Sequence, residues 1–186
     1  MNIVILSGSP RQGSLTHRVA LHLSQHLQDT TEHAVELISL QDYQLPPIQA
    51  VWSSPEKAPD AFRDVAETMF SADAFILVSP EYNGSYSPAL KNLLDHFPKQ
   101  NHKPFGIVTA SPGAFGGIRA SLQMQSLVAA LFGILSPYML IVPAVDKKFD
   151  EAGNLIESSF QSSIHQFSTE FLWLAEGITI KEEVLA

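Results

Sequence analysis

Five short apolar runs, each followed by a polar loop or an amphipathic segment, limit the possible folds of this 186-residue chain. The runs are continuous rather than alternating between apolar and polar residues, which is typical of parallel strands covered by helices on both faces. The predicted strands cover residues 3–6, 34–40, 74–78 and 104–109, with a fifth strand inside 134–142. The sequence therefore predicts an α/β fold built on a doubly wound parallel sheet.

Apolar residues recur every three or four positions between the predicted strands, as they do in amphipathic helices. Helices are predicted at residues 15–27, 60–70, 88–97 and 118–132. The C-terminal segment has the same spacing and is predicted to be a helix that covers one face of the sheet. Its apolar positions are Ile156, Phe160, Ile164, Phe167, Phe171 and Leu174. No linker or internal repeat divides the chain, so we expect one domain over residues 1–186.

Composition narrows the classes of partner. The chain has 11 basic and 19 acidic residues, and its net charge of −8 repels nucleic acid and anionic membranes. It has no cysteine, which excludes thiol redox chemistry, so electron transfer would need a cofactor. The apolar start at residues 1–6 is too short for a signal peptide, and we expect a cytoplasmic protein with a small-molecule partner.

Three polar loops follow predicted strands one, three and four. Their sequences are SGSPRQGS at residues 7–14, SPEYNGSYS at 79–87 and SPGAFGG at 111–117, the stretches richest in glycine, serine and proline. In a doubly wound sheet, ligands bind beyond the carboxyl ends of the strands. The three loops are therefore predicted to surround one pocket.

The first loop has the features of an anion site because it ends where the first helix begins, and free N–H groups point outward from a helix N-terminus. Ser9 and Ser14 add hydroxyl groups, Gly8 and Gly13 allow close backbone approach, and Arg11 supplies a forked cation. The alternative is an ordinary turn with Ser14 as the helix N-cap. The spacing matches neither a Walker A loop nor G-x-G-x-x-G, and it lacks the G-x-S-x-G of hydrolases.

The three loops together resemble a known family, the NAD(P)H-dependent FMN reductases of flavodoxin-like fold, which includes quinone-, azo- and chromate-reducing members. The resemblance is carried by GSPRQGSLTHRVA, SPEYNGSYSPALKNLLDH and TASPGAFGGIRASLQM, in this order along the chain. It implies a flavodoxin-like five-stranded parallel sheet in the order 2-1-3-4-5. It also implies FMN as the cofactor, and NADPH or NADH as the electron donor.

The resemblance assigns cofactor contacts residue by residue. The FMN phosphate would be held by Ser9, Arg11, Ser14, Leu15 and Thr16. The isoalloxazine ring would be lined by Pro80, Glu81, Tyr82, Asn83 and Gly84. Its pyrimidine edge would face Ser111, Gly113, Gly116 and Gly117. No catalytic side chain is expected, since hydride transfer at flavin N5 depends on positioning more than on acid–base help.

The resemblance also implies an activity: reduction of small acceptors such as quinones, azo compounds or flavins. Three loops around one ring leave one open face, which predicts that donor and acceptor bind in turn, in a ping-pong cycle. The apolar segment at residues 43–52, together with the resemblance, predicts a homodimer or homotetramer. The main alternative is a flavodoxin-type electron carrier without its own nicotinamide oxidation. A third possibility is a regulatory module of the same fold that binds no cofactor.

Four further residues allow more than one interpretation. His22 and His26 lie four residues apart on the first helix but have no carboxylate partner at helical spacing, so we expect solvated side chains and no metal site. Glu81 could act as a base or accept hydrogen bonds from the backbone or the flavin. Arg119 could contact a phosphate of the nicotinamide cofactor or a neighbouring carboxylate.

Overall fold

A parallel β-sheet forms the centre of the molecule in a computed structural model that describes residues 1–185, with side chains up to Thr179. Its strands are β1 Asn2–Ser7, β2 Ala34–Ser39, β3 Ala74–Ser79, β4 Pro104–Ala110, β5 Ile134–Leu135 and β6 Leu140–Val142. The strand order is β2-β1-β3-β4, and both β5 and β6 pair with β4. This arrangement confirms the predicted flavodoxin-like order.

The predicted fifth strand consists of two pieces. β5 pairs with the start of β4, where Phe105 is opposite Leu135, and β6 pairs with its end, where Thr109 is opposite Ile141. Between the pieces, the Ser136 N–H still donates to the Phe105 carbonyl at 2.8 Å. Pro137 then interrupts the ladder, because proline has no N–H to donate.

Each helix that the sequence predicts is present, with differences at its ends, and the short helix Val145–Lys148 was not predicted. They are α1 Leu15–Thr30, α2 Arg63–Ser71, α3 Pro88–Asp95, α4 Ile118–Ala130, α5 Val145–Lys148 and α6 Gln161–Leu185. The predicted start of α2 is a 3₁₀ turn at Asp60–Phe62, and α4 stops before Phe132, whose φ of +62° is incompatible with a continuing helix. None of the helices within residues 1–185 is long and apolar enough to span a membrane.

Helices cover both faces of the sheet and form two hydrophobic cores. On one face, α1 and α6 bury Leu23, Phe167 and Phe171 against β1, β3, β4 and β6. On the other face, side chains of α2, α3 and α4 pack against the sheet, among them Met69 and Met124. Because both faces are buried, the strands need no polar side, which explains their continuous apolar runs.

The start of the C-terminal helix was predicted wrongly. Ile156 precedes the helix and is 59% exposed, and a 3₁₀ turn at Ser158–Phe160 separates it from α6. The Ile156 N–H donates to the Lys148 carbonyl at 2.8 Å, so this residue belongs to the turn that connects α5 with α6. Periodicity alone does not reveal this break, because Ile156 happens to continue the helical spacing.

The apolar connection between β2 and α2 is explained largely by packing within the chain. Trp52 is only 7% exposed, with its ring 6.0 Å from that of Phe62 and 5.3 Å from that of Phe97. Ile48 and Val51 are the large apolar side chains of this segment that stay exposed among the described residues. Trp52 is therefore accounted for by packing within the chain and offers little surface to a second subunit.

The prediction that His22 is solvated is also wrong. Its Nδ1 donates to the Gly153 carbonyl at 2.9 Å, and its ring lies 5.1 Å from that of Phe149. His26 is half-buried and stacks on His22 at 6.2 Å. The two rings thus help to hold the turn after α5 against α1.

Candidate functional site

The carboxyl ends of β1, β3 and β4 lie at one edge of the sheet, and the loops that follow them enclose a cleft of about 280 Å³. The first loop contributes Ser9, Arg11, Gln12, Gly13 and Ser14, and the start of α1 adds Leu15 and Thr16. The second loop contributes Pro80, Glu81 and Tyr82, and the end of β4 and the third loop contribute Ala110, Ser111 and Pro112. The prediction that the three loops surround one pocket is confirmed.

The first loop presents unsatisfied donors to this cleft. Ser14 is the N-cap of α1, yet within residues 1–185 its side chain forms no capping hydrogen bond, which leaves the first N–H groups of the helix available. Gly13 has a φ of +65°, a conformation that glycine adopts without strain. Arg11 is exposed and is the one cation among the described residues that line the cleft. This set of donors suits an oxyanion.

Gly8 of the first loop and Thr16 of α1 make contacts inside the protein. A Cβ at Gly8 would lie 3.0 Å from the Leu90 Cβ and 3.1 Å from the Val78 carbonyl, so a larger side chain would be crowded by packing inside the protein. Thr16 is buried, and its hydroxyl contacts the Ala110 carbonyl at 3.5 Å. Gly8 packs inside the protein and is not among the residues that line the cleft. Thr16 can offer its backbone N–H, rather than its hydroxyl, to a ligand.

The second loop makes a tight turn in which Tyr82 and Ser85 exchange backbone hydrogen bonds of 2.8 and 3.1 Å. Asn83 and Gly84 have φ values of +52° and +83° and form the tip of this turn. Tyr82 lines the cleft, and the Arg11 guanidinium lies over its ring. The Tyr82 hydroxyl is buried and has no hydrogen-bond partner among the described residues.

Glu81 links the second loop to α4. Its Oε2 accepts hydrogen bonds from the backbone N–H groups of Arg119 at 3.0 Å and Ala120 at 3.4 Å. Its Oε1 accepts one from the Arg119 guanidinium at 3.4 Å. Of the two interpretations of each residue, Glu81 is thus a hydrogen-bond acceptor here, and Arg119 contacts a neighbouring carboxylate.

The third loop needs its last two glycines for packing. A Cβ at Gly116 would lie 2.7 Å from the Ile141 Cγ2, and one at Gly117 would lie 3.1 Å from the Thr109 Cβ. A Cβ at Gly113 would make only an ordinary contact, 3.6 Å from the Ser111 Oγ. Ser111 lines the cleft, and its hydroxyl donates to the Gly113 carbonyl at 3.3 Å.

Nine of the predicted contact residues line the cleft, and five lie beside it. The five are Asn83, Gly84, Gly113, Gly116 and Gly117. Sequence reasoning did not name four lining residues, Gln12, Gly13, Ala110 and Pro112, as contacts. Each of the four is next in sequence to a predicted contact residue, so they could have been identified as neighbours of those residues.

The fold and the site together define a class of protein. The sheet order is that of flavodoxin-like folds, and the cleft at its switch point has anion donors at one loop and an aromatic residue at the next. The chain belongs to the NADPH-dependent FMN reductase family, whose sequence model matches residues 1–145. The resemblance found in the sequence is thereby confirmed.

Individual relatives agree with this assignment. The chain is 31% identical over 170 residues to the FMN-dependent NADPH-azoreductase of Staphylococcus aureus, covering 87% of this chain and 88% of the relative. The flavoenzyme NAD(P)H:(acceptor) oxidoreductase FerB from Paracoccus denitrificans has a similar structure, with a TM-score of 0.67 and 19% identity over 94% of this chain and 97% of that one. A cysteine-to-alanine variant of a Pseudomonas aeruginosa flavodoxin gives a TM-score of 0.56 and 19% identity, over 92% and 99%. These two structural similarities support the fold.

Family membership decides between the functional alternatives. The chain is an NAD(P)H-dependent FMN oxidoreductase, rather than an electron carrier without nicotinamide oxidation or a module without a cofactor. The residues present fit FMN. The cleft combines free N–H groups at the start of α1 and the Arg11 guanidinium, which suit a phosphate, with the Tyr82 ring, which suits a planar aromatic group.

Proposed function

We propose that FMN binds in this cleft with its phosphate at the start of α1. The observation that carries the proposal is the convergence of three strand-end loops on one cleft that has helix N–H donors and Arg11 on its first loop. The phosphate would be held by Ser9, Arg11 and Ser14, and by the backbone N–H groups of Leu15 and Thr16. These groups give the cleft of a net acidic chain a local positive potential.

We propose that the second and third loops hold the flavin ring. Pro80, Glu81, Tyr82 and Ser111 line the cleft and are the proposed ring contacts. Asn83, Gly84, Gly113, Gly116 and Gly117 shape the two loops, since four of the five have positive φ values. In this proposal, Tyr82 orients the ring by aromatic contact, while the third loop offers backbone N–H groups to the pyrimidine edge.

When bound, FMN accepts a hydride from the reduced nicotinamide and passes two electrons to the acceptor. The protein's part is to bind and orient, because hydride transfer gains most from correct placement of the reacting groups. No side chain is proposed as an acid or base, and Glu81 is already engaged with the first turn of α4.

Azo compounds and quinones are the proposed acceptors. A relative that shares 31% of its residues with this chain is named an FMN-dependent NADPH-azoreductase, which supports azo compounds and NADPH as the first substrates to test. Planar aromatic acceptors also suit a shallow cleft that has a tyrosine at its wall.

Donor and acceptor are proposed to use the same opening in turn. The protein as purified should be yellow, with about one FMN per chain, and anaerobic NADPH should bleach it without a partner protein. Initial rates measured against NADPH and an azo dye should give parallel double-reciprocal lines. Intersecting lines would require both substrates to bind at once and would contradict a single shared opening.

We further propose a homodimer that forms through α4 and the loop before it. Phe115, Ile118 and Leu122 form an exposed apolar stripe there, with Phe115 74% and Leu122 55% exposed. Arg119, the charged residue of this exposed face, is paired with Glu81. The stripe continues into Ser126 and Ala129, whose small side chains let a second copy of the same helix approach closely. A homotetramer would need a second surface in addition to this one.

A further inference from the structure

Glu81 brings a negative charge to the boundary between the cleft and α4. Its side chain is 18% exposed, lines the cleft and accepts hydrogen bonds from the N–H groups of Arg119 and Ala120. The N-cap of α4 is Gly117, which has no side chain to satisfy these groups. Glu81 therefore caps α4 from the neighbouring loop.

This contact changes the electrostatics of the cleft. A helix N-terminus carries a positive partial charge of about half an elementary charge, which favours negative charge nearby. In this protein the carboxylate of Glu81 occupies that position and offsets the positive end of α4. The Arg119 guanidinium, 3.4 Å from Oε1, in turn offsets the carboxylate.

We propose that Glu81 and Arg119 set the reduction potential of FMN, with opposite signs. The inference rests on the proposed binding of FMN in this cleft. Gaining electrons makes a bound flavin more negative, so a fixed carboxylate beside it disfavours reduction and lowers the potential. Arg119 weakens this effect because it partly neutralises Glu81. Glu81, a proposed ring contact, thus also caps α4 and adjusts the driving force of the reaction.

Three variants test the inference by anaerobic potentiometry of the FMN-loaded protein against a reference dye at pH 7. Glu81→Gln keeps an oxygen that can accept from the α4 backbone but removes the charge. It should raise the potential by about 30 mV, which is a tenfold change in the ratio of affinities for reduced and oxidised FMN. Arg119→Gln should shift the potential in the negative direction, by less, since its side chain is mostly exposed.

Glu157→Gln is the matched control. Glu157 is also paired with a cation, Lys148 at 2.8 Å, but it does not line the cleft, so its loss should leave the potential at the wild-type value. Shifts of the same sign in Glu81→Gln and Arg119→Gln would indicate loosened loops and overturn the inference, as would an unshifted Glu81→Gln.

Two further outcomes are informative. If Glu81→Gln does not fold, the inference is tested by Arg119→Gln alone. An unchanged or more positive reduction potential in that variant would then overturn the inference. A wild-type protein that binds no FMN would overturn the proposed site together with this inference. A yellow wild-type protein with unchanged potentials in both variants would overturn this inference alone.

Discussion

The guanidinium carbon of Arg11 lies 4.6 Å from the centre of the Tyr82 ring, and this contact joins the first loop of the cleft to the second. A cation over an exposed aromatic face contributes about 0.5–1 kcal/mol, whereas a hydrogen bond to a charged group contributes about 1.5–3 kcal/mol. A phosphate at the start of α1 would therefore compete successfully for the guanidinium. Arg11 thus has a partner in the free protein, and in the proposed complex the phosphate would replace it with a stronger one.

Arg11→Ala should weaken FMN binding by about 1.5–3 kcal/mol, the usual contribution of a hydrogen bond to a charged group. Riboflavin, which has no phosphate, should lose almost nothing. Fluorescence titration of the apoprotein with both flavins measures the difference, and Arg11→Lys should recover part of the FMN affinity because it keeps the charge. Equal losses for FMN and riboflavin would show that Arg11 acts only through its contact with Tyr82.

Tyr82→Leu should shift the absorbance maxima and the potential of the bound flavin, because Tyr82 lines the cleft and Leu has no aromatic face. Asn83→Gly is the matched control, since Asn83 is exposed at the tip of the same turn with a φ of +52° that glycine tolerates. The control spectrum should stay close to the wild type. A larger spectral shift from Asn83→Gly than from Tyr82→Leu would show that the flavin ring contacts the tip of the turn at Asn83 rather than the Tyr82 side chain.

The sequence predicted the sheet and the position of the cleft because both depend on local patterns. The apolar run at β3 has no polar residue that could face water, and the loops rich in glycine and serine directly follow the strand ends. Residues that contact distant parts of the chain were harder to interpret. Trp52 packs against Phe97, and Gly8 packs against Leu90. These partners are far apart in the sequence, so helical or strand periodicity does not predict the contacts. Periodicity also does not predict the hydrogen bond that the Ile156 N–H donates to the Lys148 carbonyl.

Gly116→Ala should destabilise the protein by about 2–5 kcal/mol, combining the cost of a left-handed conformation with that of overpacking. Gly116 has a φ of +58°, and a Cβ there would lie 2.8 Å from the Pro143 nitrogen. Gly177→Ala should have the opposite effect, a gain of about 0.8–1 kcal/mol, because Gly177 lies within α6 with nothing within 4 Å. Urea unfolding of both apoproteins tests the pair, and a neutral Gly116→Ala would contradict the tight packing of the third loop against β6.

Leu122→Glu should convert the proposed dimer into a monomer without unfolding it. Leu122 is exposed in the centre of the apolar stripe on α4, so a charged side chain there should not destabilise the folded monomer. In the proposed dimer the same charge would be buried in the interface and would weaken association. Gln123→Glu adds the same charge one position further along, where the chain already carries a polar side chain. Light scattering should report half the wild-type mass for Leu122→Glu and an unchanged mass for Gln123→Glu. A wild-type monomer, or a dimeric Leu122→Glu, would refute this interface.

The free energy of unfolding should fall as the pH is lowered from 7 to 5, partly because of three histidines on α1. Burial lowers the pKa of His17, although Asp42 opposes the shift. Burial also lowers the pKa of His22, against the hydrogen bond to Gly153, and that of His26, where the charges of His22 and His165 add to the effect. Each histidine therefore has a lower pKa in the folded protein than in the unfolded chain.

The sign of the effect follows from proton binding. Well above pH 6.5, the ordinary histidine pKa, all three are neutral in both states and contribute no pH dependence. As the pH falls through 6.5, the unfolded chain binds more protons than the folded protein, and unfolding becomes more favourable. Each histidine can remove up to about 1.4 kcal/mol per pH unit until its folded pKa is passed. His22→Asn keeps a donor near Nδ1 but cannot be protonated, so it should lose less stability than the wild type between pH 7 and 5. A wild-type slope in His22→Asn would show that His22 is not protonated on unfolding in this range, and that the loss of stability comes from other groups.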